Sequence, residues 1–331
     1  MSPGIPENHY LEVVTAMSRG KLVPFLGAGV NNAAARAAGE RVEAATSSLP
    51  DARGLARYIA QRHRVPGPTQ RSSDLERVSQ YVYQQLGYQP LYYDLHELFD
   101  EDHSPTAVHE FLASVPVTLR QKGYELAHPL IVTTNYDDLM EAALERAGTP
   151  ADVVYYVAEG PWRGRFAHRP PGKEPELVER PNEYGKLNLA ERPVVLKVHG
   201  AVERRREAKE RDEDTTESYV VTEDHYINYL AQAELTSLVP QPLPAILKNR
   251  PFLFLGYSLR DWNMRVILHR IWHEDPYKFT SWAVQRHPEE VDRDFWIKRN
   301  LVILDTDLLE YIEQLRRCLT DFPPKQRAAS A

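Results

Sequence analysis

The chain reads as an α/β protein of the doubly wound, Rossmann-like kind: a parallel sheet of about six strands with a helical insertion. Strand-length apolar runs alternate with stretches of helical periodicity along its 331 residues. Four of those runs end in Phe25-Leu26-Gly27-Ala28-Gly29, Thr133-Thr134-Asn135-Tyr136-Asp137, Lys197-Val198-His199-Gly200 and Leu255-Gly256-Tyr257-Ser258. The carboxyl ends of parallel strands share one edge of a sheet, which is where ligands bind in open α/β folds.

Taken in order, Tyr10 to Arg19 places Leu11, Val14 and Met17 on one helical face. Leu22 to Leu26 is a buried strand running into a glycine turn, with Pro24 tolerable near its start. Asn31 to Ser48 is alanine-rich, a helix or a loop. Leu49-Pro50-Asp51 opens a helix to Arg62, and residues 50–125 read as a mainly helical insertion, with a polar linker over 63–73. Pro129 to Thr134 is the second strand, followed by a helix to Ala147. Residues 150–190 are rich in proline and glycine and read as irregular, with 158–185 a candidate lid or assembly loop. Pro193 to His199 is the third strand. The run Glu203 to Asp214 carries eleven charges of both signs in twelve residues, a solvated surface. Tyr219-Val220-Val221 is a short strand, a helix starts at Asp224, and Phe252 to Leu255 is a strand with its helix over Leu259 to Trp272. Trp282 to Val284 and Leu301 to Leu304 complete the sheet. The expected organisation is an N-terminal helical segment (1–20), one catalytic domain (21–320) and a disordered tail (321–331).

Composition narrows the function classes. With 42% hydrophobic and 26% charged residues the chain is globular in character, and a formal net charge of -7 argues against strong nonspecific nucleic-acid binding. No apolar run is long enough to span a bilayer, and Met1 to Gly20 lacks the continuous apolar core of a signal peptide, so a cytoplasmic protein is expected. The single cysteine, Cys318, can form neither an internal disulfide nor a four-cysteine zinc site.

The strand-end motifs carry the candidate chemistry. Gly27 and Gly29 let backbone approach a pyrophosphate, or simply make a tight turn; Asn32 stands where the dinucleotide fingerprint has its third glycine. Asn135 and Asp137, two apart in an extended stretch, point the same way and could hold a carboxamide and a ribose hydroxyl, or cap the following helix. His199 can serve as a base near neutral pH. Gly256, Tyr257 and Ser258 form a turn that could contact an adenosine ribose, and His109, His225 and His269 read as packing or surface residues.

Together these motifs resemble the signatures of the sirtuin-like NAD-consuming fold, most closely its prokaryotic branch, which includes NAD hydrolases of anti-phage defence. Tyr219 to Tyr226 and Ser258 to Asn263 also resemble that branch, and the resemblance spans about residues 20 to 315. It implies NAD as substrate, without zinc, and cleavage of the nicotinamide–ribose bond to nicotinamide and ADP-ribose. It further implies that Gly27, Ala28 and Gly29 cradle the pyrophosphate and that Asn135 positions the nicotinamide ribose or the attacking water. Asp137 would read the carboxamide, His199 would be the base, and Gly256, Tyr257 and Ser258 would hold the adenosine side. Thr134 and Asn31 belong to the same cofactor set, Asn31 standing where many relatives have serine. The alternatives are an NAD-dependent protein deacylase, whose usual four-cysteine module this chain cannot build, and a noncatalytic NAD- or ADP-ribose-sensing module gating a partner. The resemblance also implies a homo-oligomer and a separately encoded regulatory partner, such as a DNA-translocase-type ATPase or a short Argonaute.

Overall fold

The computed structural model describes residues 5–6, 8–34, 49–67, 74–125, 128–203, 217–231, 238–259, 265, 268, 271 and 278–325. Helix α1 (His9–Ser18) leads into strand β1 (Val23–Leu26) and a 3-10 turn (Ala28–Val30). Helices α2 (Ala52–Arg62), α3 (Leu75–Leu86), α4 (Tyr88–Asp100) and α5 (Ala107–Gln121) precede strand β2 (Leu130–Thr133) and helix α6 (Leu139–Arg146). Strands β3 (Asp152–Tyr156), β4 (Phe166–Arg169), β5 (Glu176–Leu177), β6 (Val194–Lys197), β7 (Gly200–Ala201) and β8 (Ser218–Tyr219) follow. Helices α7 (Glu223–Ala231) and α8 (Leu243–Asn249) come next, then β9 (Phe252–Leu255) and β10 (Ser281–Gln285). Helix α9 (Glu290–Ile297), strand β11 (Leu301–Asp305) and helix α10 (Leu308–Asp321) complete the order.

The main sheet has nine strands among the described residues, in the order β11-β10-β9-β1-β2-β6-β3-β4-β5. Strands β11 through β3 are all parallel, and β4 and β5 extend one edge antiparallel. From β1 the chain first builds toward β2, β6 and β3, then returns to lay β9, β10 and β11 on the other side. That reversal beside β1 is the switch point of a doubly wound fold. Pro24 is accommodated because β1–β2 pairing begins only at Phe25, so its missing N–H falls before the first pair on that side.

Two sequence expectations are corrected. The sheet is larger than about six strands, and residues 150–190, expected to be irregular, contain β3, β4 and β5. Glycines and prolines of the intervening turns masked the strand residues there. Several strand side chains are also polar yet buried: His168 bonds Asp152 at 3.0 Å across β3 and β4. The short strand at 218–219 pairs with β7 in a separate two-stranded sheet. Residues 35–48, residues 204–216 (all of the charged run but Glu203), most of the helix expected over 259–272 (Asp261, Asn263 and His269 included) and the tail from 326 lie outside the described residues.

Both faces of the sheet are buried, which is why its strands read as continuous apolar runs. Val23, Phe25, Val132, Leu196 and Phe254 pack on one face. Leu26, Ile131, Val195 and Leu255 face α1, α5 and α10 through Val14, Phe111 and Leu315 on the other. Helices α2 to α4 form a layer around Leu55, Ile59, Val78, Leu91 and Leu95, joined to the sheet edge by Tyr136, Tyr219 and Val221. Asp51 and Asp74 cap α2 and α3, accepting from Gly54 and Arg77 N–H at 2.8 and 3.2 Å. Among the described residues no helix is long and apolar enough to cross a membrane.

Buried histidines make this packing sensitive to acid. Burial lowers the pKa of His9 from 6.5 to about 4, and burial together with nearby Arg120 does the same to His128. The unfolded chain therefore takes up more protons than the folded one below 6.5, and stability falls as pH drops through that window toward 4. The urea midpoint is expected to be lower at pH 5 than at pH 7, while most carboxylates are still ionised. A flat or rising midpoint would contradict this account.

Candidate active site

Strand register brings the four motifs to one level. Leu26 pairs with Thr133 and with Leu255, and Thr133 pairs with Lys197. The ladder then runs one residue further: Thr134 N–H donates to Leu26 O (3.2 Å), Val198 N–H to Thr133 O (3.0 Å) and Gly27 N–H to Leu255 O (3.0 Å). Beyond that step the strands diverge into turns, and their side chains line the edge.

The glycines are required by contact between two backbones. Gly29 N–H donates to Gly256 O at 2.9 Å, and a Cβ on Gly29 would stand 2.6 Å from that oxygen. Gly256 has φ +66°, and a Cβ there would lie 2.4 Å from Val30 N. The amides of Gly27 and Gly29 are thus spent on the β9 turn, so these two glycines serve the turn-to-turn contact. Ala28 opens the 3-10 turn, its carbonyl accepting from Asn31 N–H at 3.2 Å. Tyr257 packs its ring edge-on to Phe25 and its carbonyl accepts from Gln285 at 3.1 Å, while Ser258 is exposed.

Polar side chains knit the β1 and β2 turns together. Thr133 Oγ1 donates to Leu26 O (3.1 Å) and accepts from Asn135 N–H (2.9 Å). Asn135 Nδ2 reaches toward Gly27 O at 3.4 Å, and Asn135 Oδ1 is buried without a partner among the described residues. Asp137 does two jobs: Oδ1 accepts from Leu139 N–H at 3.1 Å at the start of α6, and Oδ2 accepts from Asn31 Nδ2 at 2.7 Å. The N-cap position itself is Asp138, which makes no side-chain cap bond, so the capping role expected of Asn135 or Asp137 reduces to this one bond from Asp137 to the first helical N–H. Beneath them the fully buried Lys197 donates to Asp137 O and to Glu141 Oε1 (2.8 Å), fixing the Asn135–Asp137 turn from below. Thr134 is half-buried at the rim.

His199 lies on the neighbouring strand end, 4% exposed, with Nε2 lacking a partner among the described residues. Its carbonyl accepts from Val220 N–H at 2.8 Å, and the next residue, Gly200 (φ +102°), would place a Cβ 1.9 Å from Ser218 O. Tyr226 and Tyr229 of α7 stand edge-on to its ring at 5.4 and 6.2 Å. Burial lowers its pKa to about 3, so the imidazole is neutral at physiological pH.

Helix α7 is itself anchored. Gln80 of α3 donates to Asp224 Oδ2 (2.8 Å) and accepts from Asp224 N–H (2.9 Å). His225 Nδ1 accepts from Val221 N–H (3.2 Å), and Nε2 meets Glu159 Oε1 at 2.9 Å. Burial alone would raise the Glu159 carboxyl, but His225, Arg163 and Tyr83 hold it below its usual value. Sequence reading gave no role to Tyr226, Tyr229, Lys197 or Asn32; the signal available was the spacing of three between the two tyrosines on one helix face.

The glycine contact generates a specific expectation. Gly256→Ala should lower unfolding free energy by at least ~2 kcal/mol, because it adds backbone strain and a steric clash at once. Denaturant titration checks it; unchanged stability would mean that the two turns can separate freely.

A SIR2-like domain matches residues 129–304, a span that holds Asn135, Asp137, His199 and the Gly256–Ser258 turn. NAD(+) hydrolase ThsA of Cytobacillus dafuensis is 26% identical over 260 residues, covering 78% of this chain and 40% of that protein. Defense-associated sirtuin 2 of Bacillus subtilis is 23% identical over 305 residues, covering 91% of this chain and 23% of that protein. This chain thus spans less than half the length of these relatives. A solved structure described as "Structural Basis for the Mechanism and Regulation of Sir2 Enzymes" covers 95% of this chain and 98% of its own at 14% identity, with a TM-score of 0.44. The matched domain takes up more than half of the 331 residues, and the chain belongs to the SIR2-like family.

Proposed function

We propose that this chain is an NAD hydrolase, in which water displaces nicotinamide at the ribose carbon to give ADP-ribose, nicotinamide and a proton. The observation that carries the reading is the pair Asn135 and His199: both buried at the carboxyl edge of the sheet, each with a polar atom left without a partner among the described residues. Buried polar atoms are nearly always satisfied in folded proteins, so two orphans on adjacent strand ends mark a place for a ligand. The relatives named NAD(+) hydrolase supply the substrate class.

The chemistry suits a site without an acid. Nicotinamide leaves NAD as a neutral base, so the tasks left are to stabilise positive charge on the ribose and to aim water at it. In this reading Asn135 Oδ1 accepts a hydrogen bond from that water. The neutral His199 accepts one from the same water or from a ribose hydroxyl. The Gly27-Ala28-Gly29 turn borders the pyrophosphate in this reading by close backbone approach alone, since the Gly27 and Gly29 amides are committed to Leu255 O and Gly256 O. Thr134, Asn31 and Asp137 serve the nicotinamide ribose side, and Gly256, Tyr257 and Ser258 the adenosine side.

Purified protein incubated with NAD should release nicotinamide, and His199→Ala and Asn135→Ala should each reduce the rate by at least about 100-fold. Undiminished release by His199→Ala would remove that residue from the mechanism. A thermal melt of each variant separates loss of chemistry from loss of fold.

We place the activity in anti-phage defence in the cytoplasm, following the relative named a defence-associated sirtuin. Uncontrolled NAD hydrolysis would deplete the host cell, so the activity is held in check by homo-oligomerisation or a separately encoded partner, of DNA-translocase ATPase or short Argonaute type. Size-exclusion chromatography with light scattering, paired with turnover, tests this: a fully active monomer acting without a partner would refute it.

A further inference from the structure

Lys197 is a charge buried where neither the sheet nor the helix beside it gains from one. It closes β6 after Val194-Val195-Leu196, is 0% exposed, and pairs with Glu141 Oε1 at 2.8 Å. Replacing a buried ion pair by apolar side chains is often neutral or stabilising, so stability alone does not account for the lysine. Helix α6 does not account for it either. Glu141 lies in the first turn of that helix, and a cation is disfavoured at a helix amino end. What remains is a contact with backbone: the ammonium donates to Asp137 O.

That contact is one of two that bracket Asn135. Thr133 and Lys197 are register partners on β2 and β6, so their side chains leave the same face of the sheet. Thr133 Oγ1 accepts from Asn135 N–H at 2.9 Å, and two residues further on Lys197 holds the Asp137 carbonyl. The Asn135 side chain has little of its own to fix it. Its Nδ2 reaches Gly27 O at a long 3.4 Å, and its Oδ1 has no partner among the described residues. The place of that side chain is therefore set through its main chain. We infer that Lys197 is a positioning residue for the hydrolysis: it pins the Asp137 peptide so that Asn135 Oδ1 is held where it aims water, and Glu141 is the counter-ion that lets the lysine be buried. This rests on the reading of Asn135 as the water-aiming group of an NAD hydrolase.

A residue that acts through Asn135 loses its effect once Asn135 is gone. Nicotinamide release is measured for Lys197→Met, for Lys197→Met/Glu141→Leu, and for both combined with Asn135→Ala. The paired replacement leaves no lone charge in the core, so it supplies a folded protein where the single variant melts early. In the parent background kcat should fall at least about tenfold with KM within about threefold, because alignment is lost and binding is not. In the Asn135→Ala background the same changes should move kcat by less than about twofold. A fall of equal size in both backgrounds would make Lys197 a structural residue of the whole site and overturn the assignment. An unchanged kcat in the parent background would overturn it too, as would a paired variant that does not fold. If the parent releases no nicotinamide, or releases it just as fast with Asn135→Ala, the reading of the site fails and the assignment with it.

Discussion

The contact of two backbones, the β1 turn against the β9 turn, is the constraint on which the rest of the site depends. Gly29 N–H meets Gly256 O, and neither residue has room for a Cβ. With no side chains between them, the turns sit at the switch point of the sheet at hydrogen-bond distance. That closeness decides where the chain goes next. It sends the 3-10 turn toward β2, so that Asn31 reaches Asp137, and it leaves Gly27 O facing Asn135. A bulkier turn would move Asn31 and Asn135 apart even if every other residue were kept.

On the β6 side the controlling element is α7. Its tyrosines enclose His199, and enclosure, not a nearby charge, keeps the imidazole neutral. The position of α7 is not local. It is set by Gln80 from the helical layer and by Glu159 from the loop after β3, through Asp224 and His225. The helical layer thus reaches the site indirectly: it holds the wall, and the wall holds the histidine's environment. Tyr136 adds a second link, its hydroxyl donating to the carbonyl of Val220, the residue whose N–H donates to His199 O.

What the sequence disclosed follows from this geometry. Strands β1, β2, β6 and β9 are buried on both faces, so they appear as unbroken apolar runs, and Asn135, Asp137 and His199 are visible because they end such runs. Strands β4 and β5 were not visible. Their burial of His168 depends on Asp152 and Tyr184, and no local pattern records a partner sixteen residues away on either side. The Asn31–Asp137 bond spans 106 residues and the Gln80–Asp224 pair 144, so neither could be read from spacing. The glycine turn was legible as a turn, but its amides could not be known to be occupied until the β9 carbonyls facing them were located.

Two buried polar groups in this fold show how structure and function separate. At the β3–β5 edge His168 has both ring nitrogens engaged, Nε2 with Asp152 at 3.0 Å and Nδ1 with Tyr184, and Arg192 Nε completes Asp152 at 3.0 Å. Burial would raise the Asp152 carboxyl, yet these partners hold it below its usual value. That network is closed, and a closed network stabilises the edge without inviting a ligand. At the β1–β2–β6 edge, by contrast, Asn31 Oδ1, both amide atoms of Asn32, Asn135 Oδ1 and His199 Nε2 have no partner among the described residues. Both histidines are deeply buried and both follow or sit on strands, so neither burial nor residue type distinguishes them. Satisfaction does: both ring nitrogens of His168 are met by described residues, whereas among the described residues none meets His199 Nε2.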